Sequence, residues 1–147
     1  MSFTFRFEAL LKVRAHHKEK AEISLGRARG SLREAREELE DLERARGEIA
    51  LDLQRSIRRG TNGDTLKGYS DFLAARELHI AAQHMEIERR EEIVRRRLEE
   101  VVVRTREYRI IEKLKEKDYK KWLREQNIQE QKVMDENAVI RHGRAFL

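Results

Sequence analysis

The chain has 147 residues, of which 41% are charged and 39% hydrophobic, with no proline, no cysteine and a formal net charge of +5. A globular domain carries about 25% charge, so this composition excludes a broad enclosed core, and the missing thiols exclude disulfides, thiolate catalysis and cysteine-held metal. It leaves room for a narrow apolar seam on long helices, with 33 basic residues interleaved among 28 acidic ones on the solvated faces.

Disorder competes with this reading, because high charge and a mean hydropathy of −0.85 are also its signature. The apolar residues are regularly spaced, which favours helix. The opening segment MSFTFRFEALLKVR sets Arg6 and Glu8 among apolar residues and has no small-residue cleavage site, so no secretory signal is expected. No apolar run approaches the ~18 residues of a membrane span. The expectation is a soluble cytoplasmic protein.

In chain order, the first element is a helix over about 4–59. Leu25, Leu32, Leu39 and Leu53 share one heptad position, with Arg46 interrupting; Ala28, Ala35, Leu42 and Ile49 share the other. Steps alternating between three and four residues describe the seam of a coiled coil. Gly26, Gly30 and Gly47 each cost about 1 kcal/mol in a helix interior. They mark either a tolerated soft spot or, along Gly26–Gly30, the close approach of another helix.

A turn follows at about 60–64, where Gly60-Thr61-Asn62-Gly63-Asp64 accepts positive φ cheaply and offers Asp64 or Thr61 as a cap. The second helix is expected over about 65–141, with Gly143 as its stop. Leu66, Leu73, Ile80, Ile87, Val94, Val101 and Tyr108 repeat every seven residues, and Leu98 and Thr105 begin a companion row. Tyr69 keeps the seam's period, whereas Phe72 points off it. Acid-first pairs at i,i+4 (Glu40–Arg44, Glu86–Arg90, Glu91–Arg95, Glu92–Arg96) add about 0.2–0.5 kcal/mol each.

A short turn between long helices makes them antiparallel. The fold class is therefore all-α, a long two-helix antiparallel coiled-coil hairpin forming a single domain over 1–147. Paired residue numbers should add to about 124. On that register helix 2 outruns helix 1, and residues after about 120 are expected to lack a partner in their own chain while retaining Trp122, Leu123, Ile128, Val133 and Met134.

Catalytic machinery is not expected. No phosphate-cradling loop of the form G-x-x-x-x-G-K-[ST] occurs. His79 and His84 are five apart, on different helical faces, so no metal site is read from them. Carboxylates are plentiful, but a two-helix hairpin offers no pocket to shift their pKa values. Neither an enzyme nor a cofactor is expected. From Arg104 to Arg124 nine basic residues stand against four acidic ones, a solvated face or a docking surface for an acidic partner. Lys117, Lys120, Lys121, Trp122 and Met134, with Phe5 and Phe7 packed alongside, are the candidate partner-binding residues of the terminal end.

The chain resembles the FliJ family of bacterial flagellar type III export proteins over nearly its whole length. The resemblance rests on the opening Phe5, Phe7, Leu10, Leu11, Val13 and Arg14; on Gly68-Tyr69-Ser70-Asp71-Phe72-Leu73 after the turn; on Glu112-Lys113-Leu114-Lys115-Glu116-Lys117; and on the closing Glu130-Gln131-Lys132-Val133-Met134-Asp135-Glu136-Asn137-Ala138. It implies a two-helix hairpin like the central stalk of rotary ATPases. The terminal end would associate with the export ATPase ring and promote its assembly. The turn-proximal coil would contact the cytoplasmic part of the export gate through Leu42, Ile49 and Phe72. Family members have also been viewed as general chaperones or chaperone-escort factors, so export chaperones are further implied partners, and the protein would sit peripherally at the inner-membrane export apparatus. Arg76 and His79 depart from the small or apolar residues that other members carry there.

Two other classes remain open on the residues alone. A nucleic-acid-binding coiled coil would use Arg89–Arg109 on phosphates, against which the interleaved glutamates argue. A membrane-surface helix would need a broader apolar face than this one.

Overall fold

The structure, a computed structural model, describes residues 2–145. It is an all-α hairpin: α1 (Glu8–Arg59) and α2 (Gly63–Ala145) pack against each other, and no strand occurs among the described residues.

The helix limits differ from the expected ones for local reasons. α1 starts at Glu8 and not near residue 4: residues 2–5 are outside any helix and residues 6 and 7 form the turn that leads into it. Phe3, Phe5 and Phe7 are covered while Ser2, Thr4 and Arg6 are exposed. Glu8 N donates to Phe5 O at 3.4 Å and Leu11 N to Phe7 O at 2.9 Å, closing the first turns. At the other end Arg58 and Arg59 lie against the negative end of the helix dipole. Gly60 takes φ +82°, a conformation that a Cβ would strain, and its N–H donates to Ile57 O at 3.2 Å. The cap of α2 is Asn62, not Asp64 or Thr61: its Oδ1 accepts from Thr65 N at 2.8 Å. α2 therefore begins at Gly63, and it continues through Gly143 to Ala145.

The chain divides into two compact units, residues 20–102 and residues 1–19 with 103–147. In the unit of residues 20–102, both expected rows of α1 face the seam. Ala21, Leu25, Leu32 and Ala35 are buried there, and Leu39, Leu42, Ile49 and Leu53 are half-buried. Leu32, Ala35 and Ile87 form the centre, flanked by Leu39 and Val94. Burying a Leu or Ile side chain contributes about 1.5–3 kcal/mol, so this narrow line of contacts carries most of the unit's stability.

The ladder of α2 also faces inward, with Ile80 and Ile87 buried. Of the expected companion row, Leu98 faces out, whereas Thr105, in the other unit, is half-buried. Leu98 is 43% exposed. The row that packs against α1 lies three residues after the ladder, at Tyr69, Arg76, Gln83 and Arg90. It is polar, and small residues opposite let it cross. Gln83 Nε2 donates to Ala35 O at 2.8 Å and to Glu38 Oε2 at 3.1 Å. Arg90 Nη1 donates to Ser31 O at 2.6 Å. A helical carbonyl keeps a second lone pair after its backbone bond, which these side chains occupy. Arg46 pairs with Glu77 at 2.9 Å and Arg36 with Glu91 at 3.4 Å across the same seam.

In the unit of residues 1–19 and 103–147, Phe5 and Ile111 are buried. Arg14 Nη1 donates to Glu107 O at 2.9 Å, and Lys115 pairs with Glu8 at 2.9 Å. The expected register holds in both units: Arg46–Glu77 and Glu8–Lys115 add to 123, Ser31–Arg90 and Arg14–Glu107 to 121.

Candidate partner-binding surfaces

Near the turn, Ile49, Thr65, Gly68, Tyr69 and Phe72 line an open groove of about 340 Å³. Gly68 has open space where a Cβ would stand, so the floor is shallow. Phe72 is 50% exposed, as its off-seam position predicts. One of its faces is not bare: the Arg76 guanidinium lies 5.2 Å from the ring centroid, a cation–π contact. Arg76 and His79 join Leu42 along a second groove of about 350 Å³ that reaches Glu38 and Gln83. Leu42, Ile49 and Phe72 thus lie along two apolar-floored grooves of one unit. The departures noted in the sequence, Arg76 and His79, both line the second groove, and Arg76 also covers one face of Phe72, which lines the first.

Downstream, Glu86 and Glu92 are each held by two arginines. The Arg89 and then the Arg90 hydrogen bonds hold the Glu86 carboxyl down, from 4.5 to about 2. Arg95, followed by Arg96, does the same for Glu92, again to about 2. Of the expected i,i+4 pairs, Glu86–Arg90 and Glu92–Arg96 form. Glu40–Arg44 and Glu91–Arg95 give way to alternatives: Arg44 takes Asp41, and Arg95 takes Glu92 and Glu99.

The terminal surface belongs to the other unit. Phe3 stacks edge-on to Tyr119 at 5.3 Å and lies 5.9 Å from Trp122, and Tyr119 and Trp122 stack at 6.0 Å. Trp122 therefore has a partner in its own chain, contrary to expectation, because the segment before α1 reaches that far. Phe5 is buried and meets Phe7 edge-on at 5.9 Å, so Phe5 serves the seam and has little surface to offer. Lys18 lies 5.0 Å over the Tyr108 ring, and the hydrogen bond to Glu112, then burial, pushes the Tyr108 phenol up.

Lys117, Lys120 and Lys121 are exposed and line a groove of about 540 Å³ with Lys113, Leu114 and Arg124. Glu116 and Asp118 are the acids of that groove. None of these five cations has an ion-pair partner among the described residues. Every described side chain beyond Gln126 up to Arg144 is exposed, Met134 at 71% and Ile128 and Val133 at 55%. Sequence reasoning missed Gln83, Arg90 and Arg14, the side chains that cross the seam. The signal for Gln83 and Arg90 is their position three residues after Ile80 and Ile87, whereas the apolar companion row was sought four residues after the ladder, at Leu98 and Thr105; Arg14, on α1, carries no such mark. No group of His, Cys, Asp and Glu fit to hold a metal ion occurs among the described residues. No helix there is long and apolar enough to cross a membrane.

Among solved structures, the chain is similar to that of CT670 from Chlamydia trachomatis, assigned as a YscO homologue. The identity is 20%, the TM-score 0.55, and the match covers 96% of each chain, which shows a shared fold. No curated protein matches the sequence. The family model described as flagellar FliJ protein matches residues 3–145. With that match spanning the two helices and the aromatic segment before them, the chain belongs to the FliJ family of flagellar type III export proteins.

Proposed function

We propose that this chain is a non-enzymatic coupling element of the export apparatus, binding the export ATPase ring through its terminal unit and the cytoplasmic part of the export gate through its turn unit. In this reading it promotes assembly of the ATPase ring and hands on export chaperones and substrates. It works at the inner-membrane face of the apparatus, from the cytoplasm. One observation carries the reading: each unit presents its own unsatisfied surface, of different chemistry. The turn unit offers the groove of Ile49, Tyr69 and Phe72. The terminal unit offers unpaired lysines beside a helix whose apolar residues Ile128, Val133 and Met134 are exposed. Apolar anchors give affinity and rim charges give on-rate.

Nucleic acid is the weaker reading. Arg89 and Arg90 share Glu86, Arg95 and Arg96 share Glu92, and Arg97 and Arg104 pair with Glu100 and Glu107, so these guanidiniums are already engaged by carboxylates and less available to phosphates.

The test separates the two ends. Deleting residues 125–147 should leave helix content and melting of the remaining seam in place and abolish stimulation of the export ATPase. Phe72→Ala should weaken binding to the gate's cytoplasmic part and leave ATPase stimulation intact. Full stimulation by the truncated chain, or unchanged gate binding by Phe72→Ala, would move the respective site elsewhere.

A further inference from the structure

The outward face of α2 carries a second apolar feature, inside the unit of residues 20–102 and apart from the grooves above. Ala74, Ala75, Leu78, Ala81, Ala82 and Met85 are all exposed, Leu78 at 75% and Met85 at 71%. Their spacing of three and four residues puts them on one face, pointing away from α1. Leu78 precedes His79 directly, so it stands about 100° around the helix from the Phe72–His79 column.

In a chain with 41% charge, this island holds none. Immediately beyond it the same face becomes densely ionic, with Arg89, Glu92, Arg95 and Arg96. Four alanines around two long side chains make a surface that another helix can approach closely, with Leu78 and Met85 as knobs. The island is bracketed by Asp71 and Glu88. Most of the glutamates that follow are held by arginines, yet neither Asp71 nor Glu88 has an ion-pair or hydrogen-bond partner among the described residues.

We propose that this island is a docking face for an amphipathic helix of a partner protein, which lays an apolar stripe of about three turns along Leu78 and Met85 and sets a cation against each of Asp71 and Glu88. The charge pattern selects that occupant. The two carboxylates are seventeen positions apart in the sequence, about 25 Å along a helix at ~1.5 Å per residue. A helix with two cationic ends at that separation meets both. A second copy of this face would bring carboxylate against carboxylate. The proposal goes beyond the gate and ATPase reading, since it uses none of those residues.

The test uses the full chain and a synthetic helical peptide with a leucine–alanine stripe and two lysines seventeen positions apart, followed by fluorescence anisotropy at low salt. A control peptide carries glutamates at both lysine positions. The chain should prefer the lysine peptide at least tenfold. Leu78→Ser with Met85→Ser should weaken that binding at least tenfold while melting stays unchanged, since both residues are exposed. Asp71→Lys with Glu88→Lys should reverse the preference toward the glutamate peptide. Phe72→Ala should bind as the parent does. Equal affinity for the two peptides, or undiminished binding by the serine pair, overturns the proposal. So does loss of binding in Phe72→Ala, which would place the peptide in the groove by Ile49. Sedimentation showing self-association that the serine pair abolishes would assign the face to a second copy instead.

Discussion

Gln83 on α2 donates its side-chain amide to the backbone carbonyl of Ala35 on α1 at 2.8 Å, at a point where Ala35 is 0% exposed. Ala35 O is already within helical bonding, so losing the amide strips no buried group of its only partner. Replacing both donor and polarity by an apolar group of similar length should therefore be nearly neutral. Gln83→Leu is expected to change stability by less than about 1 kcal/mol, whereas Gln83→Glu sets a carboxylate against Glu38 and a carbonyl and should cost about 2 kcal/mol or more. Thermal melts followed by circular dichroism measure both; equal losses would mean that the amide is not the contact.

Which side of α2 is the seam is tested by a pair of charges. Ile87 is 8% exposed and Leu98 is 43% exposed. Ile87→Asp should lose several kcal/mol through burial and desolvation, while Leu98→Asp should stay within about 0.5 kcal/mol of the parent. A large effect at Leu98 would restore the companion row that periodicity alone suggested.

Acid should loosen the helix in a defined window. Glu86 and Glu92 titrate at about 2 in the fold, against roughly 4.3 in an unfolded chain. Folded values below unfolded ones mean a contribution fully present above the unfolded value and lost as pH falls toward about 2. Both pairs are at the surface, so the effect is small and salt-sensitive. At low ionic strength, Glu86→Gln should melt lower than the parent at pH 7 and converge with it at the acid end of that window. A difference that persists there would point to packing and not charge.

The glycines divide by conformation. Gly26 and Gly47 sit inside α1 with open space at the Cβ position. Alanine at either should raise stability by up to about 1 kcal/mol. Gly60→Ala meets equally open space but a φ of +82°, and should lower it by roughly 1 kcal/mol. Denaturant midpoints on the three single variants decide this. Among the described residues, nothing lies within 4 Å of the position a Cβ would take at Gly26 or Gly30.

Trp122 is the single tryptophan, and its contact with Phe3 makes the terminal unit visible to fluorescence. Phe3→Ala should shift emission to the red as water reaches the indole, and lower stability by about 1 kcal/mol for the lost aromatic pair. An unchanged spectrum would show that the segment before α1 is not seated on α2.

These results also show where the sequence was legible. The rows Leu25–Leu32–Leu39 and Ile80–Ile87–Val94 were readable because burial on a helix leaves a periodic apolar trace. The hairpin and its register followed from Gly60 and Asn62 between them. The phenylalanines mislead, since Phe5 and Phe7 stand beside a strong helical pattern and fall inside the expected helix of about 4–59, whereas α1 begins at Glu8. Gln83 and Arg90 escaped because a polar side chain that crosses to a carbonyl has the same composition as one in water. Phe72 lies off the ladder by simple counting, while Leu78 and Met85 belong to no row in the sequence and are marked only by their exposure.

The polar row has a mechanical consequence. Leu73, Ile80, Ile87, Val94 and Val101 are nearly interchangeable, so sliding α2 along α1 by seven residues would exchange one aliphatic rung for the next with little penalty. The crossing side chains are not interchangeable. A slip in one direction would set Arg76 against Ala35, where no water reaches; in the other it would bring Arg90 there and leave Gln83 short of its carbonyl. Gln83 and Arg90 act as a key in a keyway: the aliphatic ladder holds the helices together, and these two fix their axial alignment.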